Sequence, residues 1–165
     1  MSLLVRKIER SKWVQNDILN GQEVSADAIT NCMKTSGNTL SVWQIADESN
    51  LEEAVLAIAS NFKSLDAIDI ALFDEFNLGQ AGLQIVATPG ITPVARLKSA
   101  HRNLAGLTYR ALGIMASFTI ECFKRGKVLR FTKGQLRKLL RNAIQAQALS
   151  ITDLQESLRL ELSNE

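Results

Sequence analysis

The first half of the chain places an amphipathic helix between two strand-like segments, and this pattern constrains the fold most. Residues 40–46 follow the two-residue alternation of a strand. A helix with one apolar stripe then covers 51–62, and Asn50 begins it in capping-box form. Segment 67–73 is apolar except for Asp69, which is typical of a strand covered on both faces. Strand, helix and strand at this spacing predict a right-handed crossover unit.

Weaker patterns complete the first 88 residues. They predict a strand over 3–8, a surface loop over 9–24, a helix from Ser25 to the Ser36-Gly37-Asn38 stop, a loop over 77–82 and a strand over 83–87. After Pro93 the strand signal fades, and helices are predicted over 93–103, over 107–124, after Thr132 and after Thr152. Each of these two threonines is followed three residues later by a glutamine, as in a capping box.

These patterns predict an α/β fold, with α+β as the alternative. A length of 165 residues with 46% hydrophobic content suits one domain with a sizeable core. Within it, residues 1–88 are expected to form a small sheet with the strand-helix-strand unit. Residues 93–163 are expected to form a helical part packed against that sheet.

Charge is segregated by sign along the chain. Residues 1–75 carry six basic and twelve acidic side chains, residues 76–152 carry twelve basic side chains and only Glu121, and the last 13 residues carry a net charge of −3. A chain of this kind can present a positive face to a polyanion. It can also pair its own halves, or meet a second copy.

Eight cations lie within eighteen residues, and we call residues 124–141 the basic segment. Its helix after Thr132 has an apolar stripe that includes Leu136 and Leu140, and the cations lie off this stripe. They form a solvated face, a surface that docks the chain's own acidic N-terminal half or acidic tail, or a surface that binds the phosphates of a nucleic-acid backbone. The eight candidate binding residues are Lys124, Arg125, Lys127, Arg130, Lys133, Arg137, Lys138 and Arg141.

Catalytic signatures are weak. Asp69, Asp74 and Glu75 lie on or just after a predicted strand, as do the carboxylates of some magnesium sites, but no phosphate-binding Gly-Lys-Ser or Gly-Lys-Thr loop accompanies them. They remain weak metal candidates, and solvated carboxylates are the preferred interpretation. His101 is the sole histidine in the sequence, and no Gly-x-Ser-x-Gly elbow occurs. We expect no cofactor and no metal.

Cys32 and Cys122 both fall within apolar helical patterns, which favours buried thiols in a reducing compartment. The apolar run at 3–5 is too short for a signal-peptide core. The longest apolar stretch, 104–123, contains Arg110 and Glu121 and reads as a buried helix. The sequence therefore predicts a cytoplasmic protein without a membrane span.

The preferred function is a non-enzymatic intracellular interaction or accessory subunit. It would assemble with itself or with a protein partner through its segregated charge and C-terminal helices, with Trp13 as a partner anchor. A nucleic-acid-binding module that uses the basic segment is the second hypothesis. A metal-dependent nuclease is the third.

Overall fold

A six-stranded antiparallel sheet forms the centre of the structure, a computed structural model that describes residues 2–14 and 24–163. Its strands are β1 (Leu3–Ile8), β2 (Leu40–Ile45), β3 (Ile68–Asp74), β4 (Gln84–Ala87), β5 (His101–Ala105) and β6 (Val128–Phe131). They lie in the order β4-β5-β2-β1-β3-β6. The predicted mixed α/β class is confirmed.

Helices cover both faces of this sheet. They are α1 (Arg10–Val14), α2 (Ala26–Cys32), α3 (Leu51–Ala59), α4 (Glu75–Gln80), α5 (Tyr109–Lys124), α6 (Lys133–Gln145) and α7 (Glu156–Ser163). The buried side chains of α3, α6 and α7 join one core cluster, and those of α1, α2, α4 and α5 join the other. Successive β1 residues show the division, because Val5 belongs to the cluster with α3, α6 and α7, and Leu4 belongs to the cluster with α1, α2, α4 and α5.

The predicted strand-helix-strand unit is present, with another strand inserted in it. β1 pairs antiparallel with both β2 and β3, so that Leu4 lies opposite Gln44 on one side and Phe73 on the other. β2 and β3 therefore run in the same direction, and α3 connects them across β1. The burial of β3 on both faces agrees with its apolar sequence.

The helix starts are partly as predicted. The Ser25 hydroxyl accepts a hydrogen bond from the Ala28 amide and caps α2. Asn50 makes no side-chain cap at α3, which corrects the capping-box prediction. Instead the Asp47 carboxylate accepts from the Ser49 amide at 2.8 Å and caps a short 3₁₀ turn that leads into α3.

Two predicted elements near the middle of the chain are wrong. Residues 77–82 were expected to be a loop, but α4 covers most of them because the Asp74 carboxylate caps it through the Asn77 amide at 2.9 Å. The predicted helix over 93–103 is a 3₁₀ turn followed by β5, which lies between β2 and β4 in the sheet.

Three further predictions need correction. Segment 93–163 contributes two strands, β5 and β6, to the sheet as well as helices. Thr152 lies in a 3₁₀ turn, and the last helix begins at Glu156. The predicted loop over 9–24 begins with α1, while its residues 15–23 lie outside the described residues.

The register predicted for α6 is confirmed. Thr132 and Gln135 form a complete capping box, and Leu136, Leu140 and Ala143 are buried. Replacing Leu140, which is fully buried, with Ala should lower the free energy of unfolding by about 2–5 kcal/mol, because it removes packing and leaves a cavity. Lys138→Ala on the exposed face should change it by less than about 0.5 kcal/mol. Urea denaturation measures both, and equal effects would contradict the register.

Gly90 lies in a close contact beside the sheet. A Cβ built there would lie 2.5 Å from the Trp43 ring and 2.7 Å from the His101 Cβ. Gly90→Ala should therefore destabilise the fold by about 1–3 kcal/mol through overpacking. Gly113→Ala, inside α5 with open space around it, should stabilise the fold by up to about 1 kcal/mol. Thermal unfolding of the two variants should show opposite shifts.

Candidate functional site

The basic segment is spread over one end of α5, strand β6 and the first three turns of α6. Lys124 ends α5, Arg130 lies in β6, and Lys133 begins α6. Lys124, Arg125, Arg130, Lys133 and Lys138 are exposed, whereas Lys127, Arg137 and Arg141 are half-buried. The structure thus does not gather the eight cations on one helix face.

Cations at the start of the segment contact carboxylates from their own chain. Lys124 and Arg125 both lie near Glu121, at 3.4 and 3.6 Å. Lys127 pairs with Glu48. Arg130 pairs at 3.2 Å with Asp69, which is buried in β3. The acidic N-terminal half therefore supplies two of these partners.

The acidic C-terminal region supplies another partner, the α7 carboxylate Glu161. This side chain pairs with Lys133, lies 4.0 Å from Arg137, and accepts a hydrogen bond from the Leu65 amide at 2.7 Å. Arg141 donates to the Leu162 carbonyl at 2.8 Å. Together with the burial of Leu158 and Leu162, these contacts dock α7 against α6.

These contacts lower the free positive charge of the basic segment. Within the described part of the chain, six of its eight cations lie within 4 Å of a carboxylate. A phosphate backbone would have to compete with these carboxylates, although exposed pairs of this kind are individually weak. The geometry therefore favours charge pairing within one chain over a prepared polyanion groove.

The hydrogen bond from Lys133, followed by that from the Leu65 amide, lowers the pKa of Glu161. A lowered folded-state pKa adds stability above the ordinary glutamate pKa, and that stability is lost as pH falls through the folded-state value. Glu161→Gln should lower stability at pH 7 by up to about 1 kcal/mol, since its partner Lys133 is exposed and pairs at the surface are weak.

The same variant should also flatten the loss of stability as pH falls through and below the ordinary glutamate pKa. Urea denaturation at a series of pH values measures both effects. Glu156→Gln, on the same helix but outside the described ion pairs, is the matched control. Parallel stability–pH curves for wild type and Glu161→Gln would contradict the assigned role of Glu161.

The three weak metal candidates do not form one site. Asp69 pairs with Arg130 near the start of β3. Asp74 lies at the end of β3, where it caps α4. Glu75 accepts hydrogen bonds from Ser2 and from Gln44, the latter at 2.6 Å. Among the described residues, no group of three histidine, cysteine or acidic side chains is arranged to hold a metal ion.

His101 and the cysteines are buried separately. His101 in β5 bonds through Nδ1 to Thr88, at 2.9 Å to its hydroxyl and 3.1 Å to its carbonyl, and its ring packs edge-on against Trp43. Burial lowers the pKa of His101 and raises the pKa of the Cys122 thiol to about 12. A thiol with that pKa carries almost no thiolate at neutral pH and is a poor nucleophile.

Trp13 does not lie at the surface. Its side chain is fully buried and packs 6.3 Å from the Phe123 ring, centroid to centroid. The predicted partner anchor is therefore a core residue, because α5 places Phe123 beside α1.

One cleft beside the sheet contains charged groups that have partners within the chain. This cleft of about 650 Å³ lies beside β1 and β3 and contains Arg6, Lys7 and Asp69. Arg6 donates to the Cys32 and Ser41 carbonyls, which ties α2 and β2 to β1. Lys7 lies over the Phe62 ring at 4.7 Å. No set of converging, unpaired polar groups is evident among the described residues of this cleft.

The edge strand β4 is a surface that the sequence interpretation missed. Residues 83–88 carry no charge, and three of the four β4 side chains are exposed, with Val86 at 43%. The Thr88 amide bonds to the His101 carbonyl, and bonded pairs alternate along an antiparallel ladder. The backbone groups of Ile85 and Ala87 therefore point away from β5.

No described residue makes a backbone or side-chain hydrogen bond to these outer groups of Ile85 and Ala87. A strand with free outer groups and no charge is a surface on which another strand can pair. The uncharged run at 83–88 was visible in the sequence. Its position at an edge was not, because the sequence pattern predicts a helix where β5 forms.

No protein-family model, curated protein or solved structure matches this chain. No helix in the described part of the chain is long and apolar enough to cross a membrane.

Proposed function

We propose that the protein is a non-enzymatic interaction or accessory subunit that assembles with itself or with a protein partner. The uncharged edge of β4 carries this proposal, because the outer backbone groups of Ile85 and Ala87 have no partner among the described residues. Backbone hydrogen bonds to an added strand would supply the affinity, and the exposed Val86 side chain would add contact area.

This assembly route differs from the one expected from sequence. Segregated charge and the C-terminal helices were expected to mediate assembly, but the cations of the basic segment contact Glu48, Asp69, Glu121 and Glu161 of the same chain. These contacts support a structural role for the charge. We place the protein in the cytoplasm, a proposal supported by two buried free cysteines.

Nucleic-acid binding is the second candidate. It is favoured by the five exposed cations of the basic segment, of which Lys138 is in no described ion pair. It is disfavoured by the carboxylates that neighbour the others. A direct binding measurement separates the two functions.

Fluorescence anisotropy with a labelled DNA duplex at low salt should show no saturable binding. Tight binding that weakens with salt, with a log–log slope of about −3 or steeper, would contradict the proposal and support the second candidate. In that case Lys124→Glu combined with Arg125→Glu and Lys138→Glu should abolish binding.

These three positions suit the test because all are exposed and none makes a described ion pair or hydrogen bond with α7. Reversing Arg137 or Arg141 would disturb α7 as well, since these side chains contact Glu161 and the Leu162 carbonyl. Loss of binding with an unchanged melting temperature would assign it to the basic segment. Magnesium-dependent cleavage that Asp74→Ala abolishes would favour the nuclease hypothesis instead.

A further inference from the structure

We propose that β4 pairs antiparallel with β4 of a second copy of this chain, about a two-fold axis at Val86. The inference rests on the proposed function and names the partner. It would join two six-stranded sheets into one continuous sheet.

The backbone of β4 suits this pairing. With Val86 opposite Val86 of the second copy, Ile85 lies opposite Ala87 of that copy and Ala87 opposite its Ile85. These are the residues whose N–H and C=O groups point outward, as the bond from Thr88 to His101 requires. Each such pair exchanges two hydrogen bonds, so about four form between the copies.

The side chains also suit an identical partner. At the axis the two Val86 side chains would meet at a non-hydrogen-bonded position, where Cα atoms approach to about 4.5 Å. Val86 is 43% exposed in the single chain, so pairing covers apolar surface. No charged side chain lies in residues 83–88, and strand pairing there would bury no charge.

The opposite edge of the sheet is different in charge. The Leu72 amide bonds to the Lys127 carbonyl, so the outward backbone groups of β6 belong to Val128 and Arg130. Arg130 is exposed, and Lys127 and Lys133 flank the strand. Lysine and arginine on an edge strand oppose the addition of another strand.

The difference in charge between the β4 and β6 edges favours β4 of a second copy as the partner of β4. Pairing β4 with β6 of another copy would place cations against an edge without acidic groups and would leave each copy with a further free edge to pair. Pairing β4 with β4 joins two uncharged edges and closes as a dimer. An acidic strand of another protein would match β6 better than β4.

Light scattering on the full-length chain after size exclusion tests the proposal. Wild type and Val86→Thr, which keeps an uncharged β-branched residue, should give dimer mass. Val86→Lys should raise the dimer dissociation constant ~10-fold or more, because it sets two ammonium groups opposite each other. Leu160→Lys, at an exposed apolar position on α7, should leave the dimer intact.

The mass of the wild-type dimer should also be unchanged between low and ~1 M salt, since the paired edges are uncharged.

Amide exchange identifies the edge directly. Exchange at Ile85 and Ala87 should slow as protein concentration rises, whereas exchange at Val128 and Arg130 should not change. A monomer at all concentrations would overturn the inference. So would a dimer whose dissociation constant is unchanged by Val86→Lys, or amide exchange in β6 that slows as protein concentration rises. A monomer that binds no DNA would leave the proposed function to a protein partner. DNA binding by a dimer that Val86→Lys disrupts would overturn the function and not the pairing.

Discussion

The pairing of β1 with both β2 and β3 is the interaction on which the rest of the structure depends. β2 and β3 are connected by α3, yet they make no ladder with each other, because β1 lies between them. Leu4 and Val5 are fully buried on opposite faces and anchor both core clusters. Without β1 the sheet would consist of two separate pieces, β4-β5-β2 and β3-β6.

The elements that sequence predicted correctly have strong local signals. The α6 capping box at Thr132 and Gln135, the Ser25 cap and the apolar stripe of α3 each involve residues within a few positions of one another. β5 has no such signal, because residues 101–103 are histidine, arginine and asparagine. Their extended conformation depends on pairing with Leu40–Trp43 and with β4, which are distant in sequence.

The candidate site shows the same division between local and distant information. Composition revealed the cations of the basic segment and the acidic regions around it. It could not reveal that Asp69 would meet Arg130 or that Glu161 would reach the Leu65 amide, since these contacts follow from strand register and helix docking. The burial of Trp13 likewise depends on Phe123, more than a hundred residues away.

The central place of β1 also affects how the chain is made. β1 is synthesised before its partner strands, and the end of β3 follows it by more than sixty residues. At ~5–20 residues per second, β1 waits several seconds on the ribosome before both neighbours exist. During that time its Leu-Leu-Val run lacks one or both of its native partner strands, so the emerging chain carries an uncovered apolar segment. The strand that joins the two parts of the finished sheet is thus open to misassociation during translation.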